Sequence, residues 1–369
     1  MKTGKRIIIS GGGTGGHIFP AVSIARALKR IAPDTEILFV GAIGRMEMEK
    51  VPAAGFEIIG LEIQGFNRKS ILKNLSLPFK LLKSVRMANK ILRDFKPDVV
   101  VGVGGYASGP LLYAAGNHRI PYIIQEQNSY AGITNKKLSK RAFKICVAFD
   151  HMDKFFPADK ILLTGNPIRK ESVDIEGKRY EALDYYNLSE NRKTVLIIGG
   201  SLGSLTLNNS VFSAIEKIIA HHIQIIWQCG AYYYDLYKDR IPAEYKSQVK
   251  LFPFLQRMDL AYAAADVIIS RAGAGTIAEL CVVGKPVILV PSPNVAEDHQ
   301  SVNARSLESK NAAIIIKDVN AQDRLVNTAI DLLNNEIRCN ELSSHIKELA
   351  IVDSDEVIAS EVLKLAEGV

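Results

Sequence analysis

Ile7-Ile8-Ile9-Ser10 runs into Gly11-Gly12-Gly13-Thr14-Gly15-Gly16-His17, and in the second half of the chain Val195-Leu196-Ile197-Ile198 runs into Gly199-Gly200-Ser201-Leu202-Gly203-Ser204. Each stretch reads as a buried strand, a turn stripped of Cβ atoms, and the start of a helix. Such a turn lets a phosphate or sugar approach backbone N–H groups at the positive end of a helix. Two such units in one polypeptide imply two nucleotide-fold domains with a cleft between them.

The chain around these turns repeats the logic. In the first half, strand candidates are Arg6–Ser10, Glu36–Val40, Glu57–Gly60, Val99–Val103, Tyr122–Gln125 and Phe143–Val147, with helices expected over Ile18–Ile31, Leu81–Phe95, Pro110–Gly116 and Gly132–Ser139. Past a hinge-like Thr164-Gly165-Asn166-Pro167-Ile168-Arg169, strands are expected from Val195, at Gln224–Gln228, Val267–Ser270, Val287–Val290 and Ala313–Ile316. Helices fall between them at Leu205–Ala220, Thr276–Val283, Val302–Ser309 and Gln322–Asn334. Alternation of this kind predicts an α/β protein of two Rossmann-like domains with parallel sheets. The boundaries drawn from it are 1–166 and 167–353, with a last helix over 354–369 packing back on the first domain.

The length of 369 residues suits two domains, at roughly 100–200 residues each. With 47% apolar and 23% charged residues, disorder, collagen and coiled coil are excluded. Cys146, Cys229, Cys281 and Cys339 are far apart, which fits buried thiols better than a zinc site or a disulfide framework. No apolar run reaches the ~7–15 residues of a secretory core or the ~20 of a membrane span, so a soluble cytoplasmic protein is expected.

The net charge of +7 is concentrated. Between Phe66 and Lys96 stand Arg68, Lys69, Lys73, Lys80, Lys83, Arg86, Lys90, Arg93 and Lys96 against Asp94 alone. The rest of the chain is near neutral, so the basic character describes one patch and not a nucleic-acid-binding surface.

Gly11–Gly16 literally contains G-x-G-x-x-G, which raises a dinucleotide oxidoreductase. That fingerprint needs an acid at the end of the second strand to hold a ribose. Here the strand ends Phe39-Val40-Gly41-Ala42, which argues against a nicotinamide cofactor. His17 follows the glycines on the first helical turn, where an imidazole tends to stay neutral and can accept a proton. Its ordinary alternative is a polar cap or packing residue. Val101-Gly102-Val103-Gly104-Gly105-Tyr106-Ala107-Ser108-Gly109-Pro110 and Gln125-Glu126-Gln127-Asn128 leave neighbouring strands, and strand C-termini in open parallel sheets face the ligand crevice. The four polar residues 125–128 read as a lining of that crevice, or else as a solvated loop. In the second half, Ser270-Arg271-Ala272-Gly273-Ala274-Gly275-Thr276-Ile277-Ala278-Glu279 leaves backbone N–H groups free for a diphosphate. Glu279 is expected on the first turn, as a helix-start stabiliser or a grip on ribose hydroxyls. Asp298-His299-Gln300 and Asn303 follow the next strand, where amides suit sugar hydroxyls.

In this order the blocks Gly-Gly-Thr-Gly-Gly-His, Val-Gly-Gly-Tyr-Ala-Ser-Gly-Pro, Gln-Glu-Gln-Asn with Ala131-Gly132-Ile133-Thr134-Asn135, Gly-Asn-Pro-Ile-Arg, Gly-Gly-Ser-x-Gly, Arg-Ala-Gly-Ala-Gly-Thr-Ile-Ala-Glu and His-Gln-Ser-Val-Asn-Ala resemble the MurG family. These are the N-acetylglucosaminyltransferases of peptidoglycan synthesis, and the resemblance spans essentially the whole chain. It implies a GT-B fold, UDP-N-acetylglucosamine as donor, a lipid-linked undecaprenyl-pyrophosphoryl-MurNAc-pentapeptide as acceptor, and no cofactor or metal. No Asp-x-Asp metal-nucleotide motif stands in a loop of the expected kind. By motif, the nucleotide and sugar of the donor would meet Thr14, Gly15, Gly16 and Asn128 in the first domain. In the second they would meet Arg169, Ser201, Leu255 through its backbone near the uracil, Ala274, Gly275, Thr276, Ile277, Ala278, Glu279 at the ribose, and Gln300 on the sugar. The catalytic candidates are His17 as general base, with Glu126 in reserve. Leu202 and Ser204-Leu205 depart from the family pattern of Gln and a small-Arg pair, which leaves only backbone roles there.

A lipid-linked acceptor gives the basic segment 66–96 a purpose, as the contact with an anionic membrane on the cytoplasmic face of the plasma membrane. Leu81, Val85, Ala88, Leu92 and Phe95 recur at helical spacing and are expected in the core, with Lys80, Lys83, Lys90 and Arg93 outward. Ile71, Leu72, Leu75, Leu77 and Phe79 form an apolar run just before them. The competing readings are another GT-B enzyme, either a soluble-acceptor glycosyltransferase or a UDP-sugar 2-epimerase, and a nucleotide sensor without catalysis.

Overall fold

The computed structural model describes residues 4–64, 77–295 and 298–368. They fall into two compact units, Met1–Ile168 joined by Val352–Val369, and Arg169–Ile351.

Unit 1 is built on seven parallel strands: β1 (Arg6–Gly11), β2 (Glu36–Ala42), β3 (Glu57–Leu61), β4 (Val99–Gly104), β5 (Tyr122–Glu126), β6 (Lys144–Val147) and β7 (Ile161–Leu163). Their order is β3-β2-β1-β4-β5-β6-β7, so the direction of winding reverses between β1 and β4, where ligand crevices open in doubly wound sheets. Ile7, Ile8 and Ile9 are completely buried, because helices cover both faces of a parallel sheet and both sides of the strand must be apolar. Among the described residues, the helices between the strands are α1 (Gly15–Ile31), α2 (Glu47–Ala53), α3 (Leu77–Phe95), α4 (Ser108–Asn117) and α5 (Ile133–Leu138).

α1 begins at Gly15, three residues before the apolar periodicity does, so Gly15-Gly16-His17 form its first turn. It shares a core cluster with the C-terminal helix Ser354–Glu367, where Ile358, Ala359, Val362 and Leu365 meet Ile24, Ala25 and Leu28. Arg30 clamps the two helices at 2.7 Å from Asp355 and 3.3 Å from Glu356.

The buried face of α3 carries Ser84, Ala88, Ile91 and Leu92. Leu81, expected in the core, is 47% exposed, and Phe79 beside it is 77% exposed. The periodic stripe therefore begins one turn later than the sequence pattern suggested. Arg68, Lys69 and Lys73, with Ile71, Leu72 and Leu75, lie outside the described residues.

Unit 2 repeats the plan with six parallel strands: β8 (Thr194–Ile198), β9 (Gln224–Gln228), β10 (Val249–Phe252), β11 (Val267–Ser270), β12 (Val287–Leu289) and β13 (Ile314–Ile315). The order β10-β9-β8-β11-β12-β13 matches the first six strands of unit 1, so the duplication is one of topology as well as of glycine turns. The expected single helix over Leu205–Ala220 is two, Leu205–Ser213 and Ile215–Ala220, broken at Ala214. In both units the glycine turns leave the central strands β1 and β8, and all loops that follow strands lie on one edge of their own sheet.

Candidate functional site

At the strand-end edge of unit 1, Thr14 precedes α1 in an extended conformation. Its carbonyl accepts from the N–H of His17 at 3.1 Å and of Ile18 at 3.2 Å, and its hydroxyl lies 3.2 Å from His17 Nδ1. The imidazole rests on Gly104, where a Cβ would come within 2.7 Å of Cδ2 and 2.9 Å of Nε2. Gly104 also has φ +94°, a conformation that suits glycine alone. The hydroxyl of Ser108 is 2.8 Å from the carbonyls of both Ser10 and Gly104, which ties the ends of β1 and β4 together. His17 is thus fixed in place by a partner at Nδ1 and by a glycine floor beneath its ring. Thr14 and Gly16 are exposed, while Gly15 and His17 are half-buried.

The loop after β5 differs from the expectation. Gln125, Glu126 and Gln127 are all buried, and only Asn128 of the four is partly accessible. The Gln127 amide donates to the Val103 carbonyl at 2.6 Å and to the side chain of Gln125. Gln125 donates to Asn166 at 3.0 Å, and Asn166 returns a bond to the Gln127 carbonyl at 3.0 Å. A network this well satisfied stays in the interior. Glu126 turns inward as well. Its carboxylate accepts from the N–H of Asn128 at 3.1 Å, the N–H of Gly132 at 2.9 Å and the amide of Asn135 at 2.9 Å. Burial pushes its pKa up, and these donors pull it back. Glu126 therefore shapes the loop that carries Asn128.

One residue of this region escaped the sequence reading. Glu47, at the start of α2, is fully buried and accepts from the N–H of Gly13 at 2.9 Å.

In unit 2, the loop after β8 exposes Ser201 and Leu202. Ser204 caps helix Leu205–Ser213 by accepting from Leu207 N–H at 3.3 Å. Arg271, leaving β11, donates to Ser204 Oγ at 2.6 Å, to Asp318 at 2.5 Å and to the Val290 carbonyl at 2.9 Å. One guanidinium thus joins three strand-end loops. Gln228 does similar service, accepting from Leu255 N–H at 3.2 Å and donating to the Gly200 carbonyl at 2.9 Å.

Helix Ala274–Val283 begins two residues before the expected start, so Ala274, Gly275 and Thr276 form its first turn and Glu279 stands on its second. The helix-start role considered for Glu279 is thereby removed. The Tyr262 hydroxyl donates to Glu279 at 3.0 Å. Burial raises the Glu279 pKa, against the pull of Arg169 and of Tyr262. Arg169 and Glu279 are accordingly neighbours, whereas Ile277 is buried. The Gln300 amide oxygen accepts from Ala272 N–H at 3.2 Å and Ser292 N–H at 2.9 Å, bridging two loops. Asn303, expected at the ligand edge, is completely buried and donates to the Ala272 carbonyl at 3.4 Å. It belongs to the scaffold.

Among the described residues, no group of three or more His, Cys, Asp or Glu is gathered as a metal site would require. No described helix is long and apolar enough to cross a membrane.

Residues 7–147 match the glycosyltransferase family 28 N-terminal domain, and residues 194–357 match the C-terminal domain of the same family. A protein of Parabacteroides distasonis is 53% identical over 360 residues, 98% of each chain, and one of Phocaeicola vulgatus is 55% identical over 368 residues, 100% of this chain and 98% of its own. Both are named UDP-N-acetylglucosamine–N-acetylmuramyl-(pentapeptide) pyrophosphoryl-undecaprenol N-acetylglucosamine transferase. Among solved structures, MurG of Acinetobacter baumannii superposes with a TM-score of 0.80 at 29% identity, covering 98% of this chain and 99% of its own. The chain is a glycosyltransferase of family 28 with a GT-B fold, and it belongs to the MurG family within it.

Proposed function

We propose that this enzyme moves N-acetylglucosamine from UDP-N-acetylglucosamine to the 4-hydroxyl of MurNAc in an undecaprenyl-pyrophosphoryl-MurNAc-pentapeptide acceptor. The observation that carries this reading is identity above one half, over the full length, with transferases named for that reaction.

The residues fit a division of labour. Unit 2 holds the donor. Backbone N–H groups at Ser201 and at the first turn of helix Ala274–Val283 offer positive ends to the diphosphate. Glu279, with Arg169 beside it, accepts from the ribose hydroxyls. Leu255 meets the uracil through its carbonyl, since its N–H is engaged by Gln228. Gln300 serves the sugar through its amide nitrogen, its oxygen being committed to two backbone donors.

Unit 1 holds the acceptor, and through Thr14, Gly15, Gly16 and Asn128 it also meets the sugar nucleotide. With Nδ1–H donating to Thr14, His17 carries its lone pair on Nε2 and takes the proton of the attacking hydroxyl. The new O–C1 bond forms opposite the departing UDP. The electron pair of the broken C1–O bond leaves on the diphosphate, where fixed N–H dipoles stabilise it. Inversion at C1 gives the β-linked disaccharide.

The enzyme works as a peripheral protein on the cytoplasmic face of the plasma membrane. Phe79, Leu81 and Leu82 are exposed at the start of α3, and Lys83, Arg86, Lys90 and Arg93 are exposed along the same helix. Apolar side chains at that end dip into an anionic bilayer while the cations meet its headgroups.

Labelled UDP-N-acetylglucosamine incubated with the lipid-linked muramyl acceptor should yield a labelled lipid disaccharide. His17→Ala should lower turnover by about 10²–10⁴-fold with UDP still bound. No disaccharide from the wild-type enzyme would refute the function, and full turnover in His17→Ala would refute the base.

A further inference from the structure

The end of β2 lacks the acid that a dinucleotide-binding domain places there. The fold supplies a carboxylate to that place from the next helix. Glu47 Oε1 accepts from Ala42 N–H, at the end of β2, at 3.0 Å, and Oε2 accepts from Gly13 N–H, in the loop after β1, at 2.9 Å. The side chain is completely buried. Two glycines make room for it: a Cβ on Gly12 would collide with the carboxylate, and one on Gly41 would stand 2.6 Å from Glu47 Cγ. A buried carboxylate is costly unless donors meet its oxygens, and here both donors belong to strand-end backbone. Its oxygens are committed to the protein itself, so no ribose is served.

Gly13 is bonded to Glu47 and adjoins Thr14. Thr14 in turn holds His17 twice, through its carbonyl to the His17 N–H at 3.1 Å and through its hydroxyl at 3.2 Å from Nδ1. We propose that Glu47 is a positioning residue for the transfer reaction, its carboxylate holding the Gly11–Thr14 loop in the shape that aims His17 at the acceptor hydroxyl. This rests on the reading of His17 as the base. A misplacement of about 1 Å at a reacting group is enough to cost about 10²-fold in rate.

The test uses the full-length enzyme with the disaccharide assay and a separate measurement of UDP affinity. Glu47→Ala should lower kcat by about 30–100-fold with UDP affinity within about twofold of wild type. Sodium formate should restore that variant by about tenfold or more, because a small carboxylate fills the vacated space and meets the same two N–H groups. Formate should leave wild type and His17→Ala unchanged. Placed on His17→Ala, the Glu47→Ala change should add less than about threefold, since both act through one group. Glu47→Gln keeps the shape with a single acceptor oxygen, and should fall between Glu47→Ala and wild type. Full turnover in Glu47→Ala beside an inactive His17→Ala would overturn this inference and spare the base. Equal losses of kcat and UDP affinity in both Glu47 variants, or a loss that adds fully to His17→Ala without a formate response, would also overturn it. Full turnover in His17→Ala would remove the base assignment and the inference together.

Discussion

Replacing Arg271 with Met removes the guanidinium that joins Ser204, Asp318 and the Val290 carbonyl. Its side chain is 12% exposed and that of Asp318 18%, so their ion pair is largely shielded from water. Loss of one partner from a buried pair costs about 3–5 kcal/mol, chiefly by stranding the other charge. Asp318 keeps a hydrogen bond from the Thr206 hydroxyl at 3.0 Å, which places the expected cost near the lower end, at about 3 kcal/mol. For a domain of 150–250 residues each kcal/mol moves Tm by about 2–4 °C, so calorimetry should show the transition of unit 2 falling by roughly 6–12 °C. The same substitution takes the donor from Ser204 Oγ and frees the loop Gly199–Ser204, so UDP affinity by titration calorimetry should fall by about tenfold, the equivalent of one charge-assisted hydrogen bond. Asp318→Asn on the Arg271→Met background should recover part of the lost Tm, because it removes the stranded charge. A Tm change below about 2 °C, or an unchanged UDP affinity, would refute the reasoning that one side chain both braces the loops and presents the first of them.

Tyr262→Phe removes the donor to Glu279, whose pKa burial has already raised. With Glu279 the proposed ribose acceptor, its carboxylate must be ionised, so UDP affinity should be complete above the Glu279 pKa and be lost as pH falls through it; the substitution should move that loss to higher pH, as UDP titrations across pH would show. Glu126→Ala takes the acceptor from the N–H groups of Asn128 and Gly132 and from the buried Asn135 amide, at a cost of about 1–3 kcal/mol. It should lower disaccharide formation while UDP binding, proposed above to rest on unit 2, is unchanged. Reversal of Lys83, Arg86 and Lys90 to Glu removes attractions of about 1 kcal/mol each, so co-sedimentation with anionic vesicles should drop by at least tenfold; unchanged sedimentation would remove the membrane role of α3.

How far the sequence spoke for the fold depended on burial. β1, β4, β8 and β11 are covered on both faces, and a strand in that position must be apolar throughout, so Ile7-Ile8-Ile9 and Val195-Leu196-Ile197-Ile198 announce themselves. β7 and β10 went unread because they are short and half-exposed, with Ile161-Leu162-Leu163 and Val249-Lys250-Leu251-Phe252 carrying no longer run and no clean alternation. Helix Met258–Ala264 escaped for the opposite reason, being buried all round and so without a periodic stripe. The early starts of α1 and of helix Ala274–Val283 were missed because glycine and alanine runs carry no periodicity.

The site was legible as a set of loops, and much less so as a set of side-chain directions. Residue type tells what a group can bond, and at a strand-end edge two kinds of partner compete for it. Ligands are one. The other is the backbone of the turns themselves, whose N–H and carbonyl groups have left the sheet ladder and still require partners. Glu126, Glu47 and Gln300 answer backbone N–H groups, Arg271 and Asn303 answer carbonyls, and Gln125 with Gln127 closes a network around Val103 and Asn166. Each was either read as facing the ligand or not noticed, because the chain offers the same residue types for both tasks. The polar side chains that sequence reasoning assigns to such an edge therefore divide between substrate and scaffold. These bonds are the scaffold's share, and those of Glu47, Gln228 and Arg271 brace the glycine turns themselves.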